Sequence, residues 1–355
     1  MEALTLERLR AAAATVAASP LVRRTALLPA PPVLLSPQPL LGMPPPPPLA
    51  GVDLALKLET QQTGGSFKMR GVVAQLAALP AGARGCVTMS AGNYGRALAL
   101  AARARGLPVA VCMADTVPPD RVQLLRGLGA EVVLTPAAEL RARVDAVARE
   151  RAGYVVAHPF DDADLVCGHA TAALEILEEQ PDVDVLVVPC GGGGLLAGVA
   201  LAVALTGARA RVVGVEPEGA PKMARSLREG APAALEAVHT VAAGLAPPFA
   251  GRLPFEVVRR HVQGGIVLVS DAEIAAAMRA LFTAGLVVEP SGAAAVAALL
   301  ARPAEVLGDA VSATAAAVAG PAAAGSAPRR PKVVCILSGS NVSADQYHRL
   351  LSTAG

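Results

Sequence analysis

Tryptophan is absent from this chain, and aromatic residues make up only 2% of its 355 residues. A core of ordinary size must therefore be built from alanine, valine and leucine. An excess of charge of one sign is lacking as well, because 31 lysines and arginines face 29 aspartates and glutamates, for a net charge of +2. Without a long basic run or interleaved aromatic and basic residues, nucleic acid is not an expected partner.

The cysteine patterns of disulfide frameworks and zinc sites are also missing. The five cysteines are an odd number and none lies in CxxC spacing, so they are predicted to be buried thiols in a reducing compartment. Near the N-terminus, Glu7, Arg8 and Arg10 fall in a helical pattern that does not resemble a secretory signal. We therefore expect a cytoplasmic protein, with an organelle transit peptide as the alternative.

No hydrophobic run has the pattern of a membrane span. The stretch from Val185 to Ala208 carries no charge, but Pro189, Cys190 and four consecutive glycines interrupt it. A strand, a loop and a helix explain this stretch better than a single long helix. We therefore expect no association with a membrane.

Short apolar runs alternate with helix-like segments along most of the chain. The predicted strands are 85–89, 109–113, 131–134, 185–188, 211–215 and 333–337, and the predicted helices include 94–105, 121–128, 141–151, 195–205 and 271–284. This alternation predicts an α/β fold with parallel sheets covered by helices, whose ligands bind beyond the carboxyl ends of the strands. Two low-complexity segments, 31–48 and 311–331, are predicted to be insertions, and the first is expected to contain neither helix nor central strand.

Two polar loops in the first hundred residues are candidate binding elements. Lys68 lies in the sequence Gly64 to Gly71, between a strand-like and a helix-like run. A desolvated lysine amine can attack an aldehyde, although a lone lysine is more often a solvated surface charge. The loop Ser90 to Gly95 follows a predicted strand and opens a helix, where backbone N–H groups suit a carboxylate or phosphate. An ordinary capped turn is the alternative for this second loop.

Two further loops follow predicted strands. Gly191 to Gly194 expose consecutive backbone N–H donors before a helix that starts at Leu195, which predicts an anion cradle for phosphate. The pattern is neither a Walker loop nor a dinucleotide fingerprint. Ser338, the first residue of the loop to Asn341, can hydrogen-bond a neutral ring nitrogen, and a neutral cofactor ring suits elimination better than transamination.

The order of these four loops resembles that of the fold-type II pyridoxal-phosphate enzymes, specifically the serine/threonine dehydratase and serine racemase family. The resemblance covers most of the chain outside the two low-complexity segments and includes the motifs Leu56 to Glu59, Leu128 to Glu131, Val215 to Pro217 and Val288 to Ala293. It implies an α/β fold of the tryptophan synthase β type, with two doubly wound sheet domains and the cofactor between them. The large domain would comprise residues 1–84 and 161–355, and a small mobile domain residues 85–160.

The same resemblance assigns roles to individual residues. Lys68 would hold pyridoxal 5'-phosphate covalently and would act as the catalytic base. Further contacts to the cofactor would come from Phe67, Asn93, Gly191, Gly192, Gly193, Gly194, Leu195, Gly244 and Ser338. The substrate carboxylate would bind at Ser90, Ala91, Gly92 and Tyr94.

Among the departures from the family pattern, two bear directly on the predicted chemistry. The racemases of the family carry a proton-donating serine at the position of Ala91, and a methyl group cannot donate a proton, so dehydration is favoured over racemisation. The family's divalent-cation site corresponds to Glu216, the carbonyl of Ala220 and a position that is Lys222 in this chain. An ammonium group there would pair with Glu216, which argues against a metal requirement and leaves Glu216 and Ala220 as the candidate metal ligands.

The resemblance implies an ammonia-lyase that converts L-threonine or L-serine to a 2-keto acid and ammonia by α,β-elimination. Three alternatives remain open: a serine racemase, a β-replacement enzyme similar to cysteine synthase, and a catalytically inert homologue that binds the cofactor. A small amino acid is the expected substrate, and a homodimer is the expected assembly.

Overall fold

The structure is a computed structural model in which residues 4–35, 49, 51–308 and 329–352 are described. Within these residues the strands form two separate sheets. The strands are β1 (Leu27–Pro29), β2 (Asp53–Lys57), β3 (Gly85–Met89), β4 (Val109–Ala114), β5 (Glu131–Thr135), β6 (Tyr154–Val156), β7 (Val185–Pro189), β8 (Arg211–Pro217), β9 (Ile266–Val269) and β10 (Lys332–Ile336).

Helices separate most of these strands along the chain. They are α1 (Leu6–Ala18), α2 (Pro32–Leu35), α3 (Lys68–Ala77), α4 (Asn93–Ala104), α5 (Pro119–Gly127), α6 (Leu140–Glu150), α7 (Ala163–Glu179), α8 (Gly194–Thr206), α9 (Lys222–Glu229), α10 (Arg252–His261), α11 (Asp271–Thr283), α12 (Pro290–Ala301), α13 (Pro303–Leu307) and α14 (Ala344–Ser352). Short 3-10 turns at Glu59–Gln61, Ala137–Glu139 and Ala243–Leu245 complete the described secondary structure.

The larger sheet has six strands in the order β1-β2-β10-β7-β8-β9. Its strand pairs are parallel except that β1 runs antiparallel to β2 at the edge. The last strand, β10, lies between β2 and β7, so the loop that follows it is close to loops from much earlier in the chain. This topology brings the loop after β10 and the loop after β7 to the same edge of the sheet.

Helices cover both faces of the larger sheet. Val185 and Val187 of β7 face a core that includes residues of α11 and α12, whereas Leu186 and Val188 face a core that includes residues of α7, α8 and α10. Since successive side chains of a strand point to opposite faces, both sets must be apolar when both faces are covered. This explains the continuous apolar run in β7.

The smaller sheet has four parallel strands in the order β5-β4-β3-β6. Cys86 and Val111 pack on one face with residues of α3 and α4. On the other face Val87 and Cys112 pack with Val144 and other residues of α6. The smaller sheet therefore has its own apolar layers, and α3 links it to the rest of the molecule.

The strand and helix predictions are confirmed with small shifts at the element ends. Predicted strand 85–89 coincides with β3, and the uncharged stretch that starts at Val185 divides into β7, the glycine loop and α8. In the described part of the chain, every helix is too short or too polar to cross a membrane. All five cysteines are buried free thiols, as expected.

The first low-complexity segment differs from its prediction. Residues 31–48 were expected to contain no helix, but Pro32–Leu35 forms the short helix α2. A proline is tolerated in the first turn of a helix, and Leu34 is fully buried in the core against the larger sheet. Residues 36–48 of this segment and residues 311–328 of the second lie outside the described residues.

Candidate active site

A cavity of about 990 Å³ lies at the carboxyl ends of strands from both sheets. Its walls include the loops after β3, β7 and β10 and the first residue of α3, which is where parallel α/β folds bind their ligands. The cavity brings together every residue predicted to bind cofactor or substrate, namely Phe67, Lys68, Ser90, Ala91, Gly92, Asn93, Tyr94, Gly191, Gly192, Gly193, Gly194, Leu195, Gly244 and Ser338.

Backbone pairing fixes Lys68 beside the loop that follows β10. Ser66 forms an isolated antiparallel bridge with Gly339, and the N–H of Phe67 donates to the carbonyl of Ser338 at 3.1 Å. Lys68 is the next residue and the first of α3. Two segments far apart in sequence are therefore joined by main-chain hydrogen bonds at the cavity wall.

The amine of Lys68 lies among aromatic rings and a carbonyl. Its Nζ donates to the carbonyl of Pro159 at 2.7 Å and is 5.1 Å from the ring centroid of Phe67 and 5.6 Å from that of Tyr94. Burial lowers the pKa of Lys68 to about 7 from the ordinary value of 10.5. Because the neutral amine is the nucleophile, a large fraction of Lys68 is ready to react at neutral pH.

This lowered pKa predicts the pH dependence of labelling at Lys68. In the cofactor-free protein, we expect an amine-selective acylating reagent to label Lys68 with a half-maximal rate near pH 7, since the neutral fraction of an amine rises as pH passes upward through its pKa. Peptide-resolved mass spectrometry from about pH 5 to pH 10 measures this profile.

Lys332 is the internal control, because the chain contains only four lysines and Lys57 and Lys222 are fully buried. The Lys332 ammonium is partly exposed and pairs with Asp182 at 2.8 Å. Labelling of Lys68 only at the alkaline pH where a free lysine derivative reacts would contradict the predicted profile.

The loop after β3 presents backbone groups and small side chains to the cavity. Ser90 Oγ accepts a hydrogen bond from the N–H of Gly95 at 2.9 Å, which holds the start of α4. The buried Tyr94 hydroxyl donates to Gln75 Oε1 at 2.6 Å, and burial raises the pKa of Tyr94 well above its ordinary value. The hydroxyl proton of Tyr94 is therefore engaged in the hydrogen bond to Gln75, and the side chain of Ala91 is a methyl group without a donor.

Asn93 belongs to a chain of polar side chains that crosses the cavity wall. Its Nδ2 donates to Glu289 Oε1 at 2.6 Å, and its Oδ1 accepts from Asn341 Nδ2 at 2.8 Å. Arg96 Nη1 in turn donates to Asn341 Oδ1 at 2.8 Å. These contacts join the start of α4 to the start of α12 and to the loop after β10.

Glu289 and Asn341 were not among the residues predicted for the site, although both line the cavity. Burial raises the pKa of Glu289 to about 7 despite the hydrogen bond from Asn93. In the sequence, Glu289 belongs to the family motif Val288 to Ala293, and Asn341 ends the loop that begins at Ser338. Neither the motif nor the loop indicates that these two side chains meet Asn93.

The glycines after β7 are required by the space around them. A Cβ at Gly191 would lie 2.7 Å from the carbonyl oxygen of Gly244, and one at Gly192 would collide with the ring of Phe160. Gly193 has a φ of 100°, which disfavours a side chain. The loop therefore presents bare backbone to the cavity directly before the N-terminus of α8, an arrangement that binds anions.

The remaining wall is formed by Gly244 and two serines. The N–H of Gly244 donates to Ser291 Oγ at 2.8 Å, and a Cβ at Gly244 would lie 2.8 Å from the same oxygen. Ser338 Oγ makes a long hydrogen bond of 3.4 Å to the carbonyl of Ser291. Because this bond is weak, the Ser338 hydroxyl remains available to a ligand in the cavity.

The candidate metal ligands lie outside the cavity wall and enclose an ammonium group. Lys222 Nζ is 3.1 Å from Glu216 Oε1 and 3.1 Å from the carbonyl of Ala220. Across the described part of the chain, no group of three or more histidines, cysteines and carboxylates is placed to hold a metal ion. These residues do not fit a divalent cation.

The family described as pyridoxal-phosphate dependent enzyme matches residues 33–314, which is more than half of the chain. The chain belongs to this family. The geometry of the cavity fits the family's cofactor, because a lysine with a lowered pKa and a bare-backbone anion cradle at a helix N-terminus line the same space. The loop order recognised in the sequence is therefore confirmed as that of a pyridoxal-phosphate enzyme.

Individual members of the family give a more detailed comparison. An L-threonine ammonia-lyase from Thermotoga maritima is 39% identical over 260 residues, which cover 71% of this chain and 64% of that protein. A phenylserine dehydratase from Ralstonia pickettii is 42% identical over 258 residues, covering 71% and 78%. The structure of maize serine racemase has a TM-score of 0.81 at 30% identity, covering 97% of this chain and 96% of that one. The predicted fold-type II architecture is thereby confirmed.

Proposed function

We propose that this protein is an ammonia-lyase that dehydrates L-threonine or L-serine to a 2-keto acid and ammonia. The names of the Thermotoga and Ralstonia relatives, a threonine ammonia-lyase and a phenylserine dehydratase, support this reaction class. The observation that carries the choice of elimination is Ala91, a methyl group on the cavity wall where the family's racemases carry a proton-donating serine. Lys68 would then act as the base, since its amine lies on the same cavity wall as Gly191 to Gly194.

Pyridoxal phosphate would be held by residues that already surround the cavity. Gly191 to Gly194 would bind its phosphate, Lys68 would bind its aldehyde carbon, and Phe67, Asn93 and Ser338 would contact its ring. When bound, the cofactor supplies a conjugated ring that stabilises negative charge at the substrate Cα.

Lys68 would remove the Cα proton of the substrate. Its amine is suited to this step because a pKa of about 7 leaves much of it neutral at physiological pH. The carbonyl of Pro159, 2.7 Å from Nζ, holds the amine in place between proton transfers. The backbone N–H groups of the Ser90 to Tyr94 loop would bind the substrate carboxylate at the start of α4.

The loop that would bind the carboxylate also limits the return of a proton to Cα. Racemisation requires a donor on the face away from Lys68, and Ala91 has none. The Tyr94 hydroxyl does not replace it, because its proton is held by Gln75. After Lys68 has taken the Cα proton, the β-hydroxyl would leave as water with a proton from the Lys68 ammonium group, so elimination needs no donor on the opposite face. Hydrolysis of the released enamine would then give the 2-keto acid and ammonia.

The domain division, the oligomeric state and the cellular location are proposed from the sheets, the family resemblance and the cysteines. A small mobile domain of residues 85–160 is supported by the smaller sheet, whose four strands all lie within that range. Residues 1–84 and 161–355 would form the large domain. The family resemblance supports a homodimer and a small amino acid as substrate, and the five free thiols support a cytoplasmic location.

The reaction is tested with the purified, cofactor-loaded protein and L-threonine, L-serine and D-serine. We expect keto-acid release from the L-amino acids without a second substrate, and little conversion between L- and D-serine. A coupled assay for keto acid and chiral chromatography of the remaining serine measure both. A requirement for a second, nucleophilic substrate, or serine inversion faster than keto-acid release, would overturn the proposal. So would a coloured protein that is inert toward all three.

The role of Ala91 is tested by Ala91→Ser, with Ala91→Gly as the matched control. The serine variant gains a hydroxyl, so the ratio of racemisation to elimination should rise by about tenfold or more, in line with the contribution of a positioned proton donor. The glycine variant changes the volume without adding a donor and should leave this ratio unchanged. An equal change in both variants would show that volume, not proton donation, decides the outcome.

A further inference from the structure

Lys222 places a positive charge in the interior of the protein, next to the glycine cradle. Its side chain is fully buried, and its Nζ lies 2.8 Å from the carbonyl of Leu245, 3.1 Å from that of Ala220 and 3.3 Å from that of Cys190. Glu216 Oε1 is 3.1 Å away. One ammonium group is therefore surrounded by four oxygen acceptors.

This arrangement offsets the cost of burying the charge. An isolated buried ammonium is strongly disfavoured, but a paired carboxylate and several carbonyl acceptors compensate for the lost water. Glu216 is itself held by backbone donors, since the N–H groups of Met223 and Ala224 both lie 2.9 Å from its carboxylate oxygens. Both charged groups of this cluster, the Lys222 ammonium and the Glu216 carboxylate, thus have hydrogen-bond partners.

The carbonyls around Lys222 belong to segments that form the cofactor cavity. Cys190 immediately precedes the glycines of the cradle, and Leu245 immediately follows Gly244, which also lines the cavity. Gly191 and Gly244 are in close contact, because a Cβ on the first would lie 2.7 Å from the carbonyl oxygen of the second. The ammonium group of Lys222 therefore binds carbonyl groups of both loops from a position outside the cavity wall.

A divalent cation does not fit among these oxygens while Lys222 is present. Such ions need six or more oxygen ligands at about 2–2.6 Å, and the ammonium already occupies the space between the acceptors. It would also repel a second positive charge at contact distance. The side chain thus takes the place that a metal ion would otherwise fill.

We propose that Lys222 is a built-in cation that positions the glycine cradle for the cofactor phosphate and removes any need for a divalent metal. Lys222 acts through the two loops and touches neither cofactor nor substrate, so it is a positioning residue. The proposal rests on the proposed cofactor and does not depend on which amino acid is the substrate.

The metal requirement is tested on the wild-type protein. We expect no Mn²⁺ binding in calorimetry and no change in pyridoxal phosphate affinity after exhaustive treatment with EDTA. Stoichiometric Mn²⁺ binding, or a loss of cofactor affinity that Mn²⁺ restores, would overturn the proposal. Failure of the wild-type protein to bind pyridoxal phosphate at all would instead refute the proposed cofactor.

The positioning role is tested by removing the ammonium. Lys222→Met leaves Glu216 unpaired and risks misfolding, so the double variant Lys222→Met/Glu216→Gln removes both charges together. Arg228→Met is the matched control, because it removes one positive charge from an exposed position of the same helix, α9.

For the double variant we expect pyridoxal phosphate affinity to fall by about tenfold or more, as for the loss of charge-assisted hydrogen bonds. The affinity for pyridoxal, which lacks the phosphate, should fall much less. Absorbance titration measures both, and circular dichroism confirms folding. A folded double variant with wild-type affinity for pyridoxal phosphate, or an equal loss in Arg228→Met, would contradict the positioning role.

The variant Lys222→Asp tests whether the carboxylate and carbonyl oxygens around Lys222 Nζ can bind a metal cation once the ammonium is removed. This change replaces the ammonium with a second carboxylate beside Glu216 and the carbonyls, a set of ligands that suits Mn²⁺. We expect the folded variant to bind Mn²⁺ and to gain thermal stability from it, unlike Lys222→Met. Absence of Mn²⁺ binding by the folded variant would contradict the assignment of these oxygens as a cation site.

Discussion

The variant Lys68→Ala is expected to lose keto-acid release by at least about 10³-fold, together with the visible absorbance of the bound cofactor. Alanine offers neither an amine to bind an aldehyde nor a base to remove the Cα proton. No other lysine can replace it from the cavity wall, since Lys57, Lys222 and Lys332 do not line the cavity. Spectra of the purified variant and the coupled keto-acid assay measure the two losses.

Lys332→Ala is the control for this variant. Lys332 lies at the start of β10 and pairs with Asp182 at the surface, so its removal should leave both absorbance and turnover close to wild type. Turnover by Lys68→Ala within about tenfold of wild type would contradict the assignment of Lys68 as the base. Retention of the visible absorbance would contradict its assignment as the cofactor lysine.

The variant Arg70→Met is expected to lower the free energy of unfolding by about 3–5 kcal/mol, because it leaves the buried carboxylate of Glu59 without its ion-pair partner. Arg70 is fully buried, and its Nε lies 2.9 Å from Glu59 Oε2 while its Nη1 lies 2.6 Å from Glu175 Oε1. Lys57 pairs with Glu175, at 2.6 Å, so Glu175 would keep a partner while Glu59 would lose the ion pair with Arg70. Urea unfolding measures the change.

Two comparisons separate this cost from the loss of an ordinary salt bridge. Arg143→Met removes a partly exposed pair with Glu150, of 3.0 Å, and should cost less than about 1 kcal/mol. The double variant Arg70→Met/Glu59→Gln removes the stranded charge and should recover part of the lost stability. Equal costs for Arg70→Met and Arg143→Met would contradict the buried network.

The ion pairs of Arg70 with Glu59 and Glu175 also stabilise the position of the active-site lysine. Arg70 lies two residues after Lys68 in the first turn of α3, and its partner Glu175 belongs to α7. The buried ion pairs therefore fix the start of α3 against α7 and so fix the direction from which Lys68 enters the cavity. This positioning explains why a charged residue occurs among the apolar residues of α3.

The predictions from sequence were most accurate where the signal is local. The run Gly85 to Met89 and the glycines after β7 each carry their own pattern of apolar residues or missing side chains. Such patterns depend on neighbours in sequence, and the structure changes their limits by only a few residues. The short helix at Pro32–Leu35 was missed because the burial of Leu34, which a proline-rich context does not reveal, stabilises it.

The contacts that complete the site could not be predicted in this way. Glu289 was seen only as part of a motif, yet its carboxylate meets Asn93, 196 residues away in sequence. Lys222 was expected to pair with Glu216, but its hydrogen bonds to the carbonyls of Cys190 and Leu245 carry no sequence signal. Backbone carbonyls are the same at every residue, so only the fold decides which of them meet.

The sequence by itself determined the α/β fold, the order of the four loops and the lysine that stands among them, because periodicity, glycine runs and residue chemistry are local properties of the chain. The tertiary structure alone decided that desolvation lowers the pKa of Lys68 to about 7, that Glu289 accepts a hydrogen bond from Asn93, and that Lys222 donates to the carbonyls of Cys190 and Leu245. Desolvation and hydrogen bonding depend on which distant groups share a space, and that is settled only when the strands take their order in the sheets.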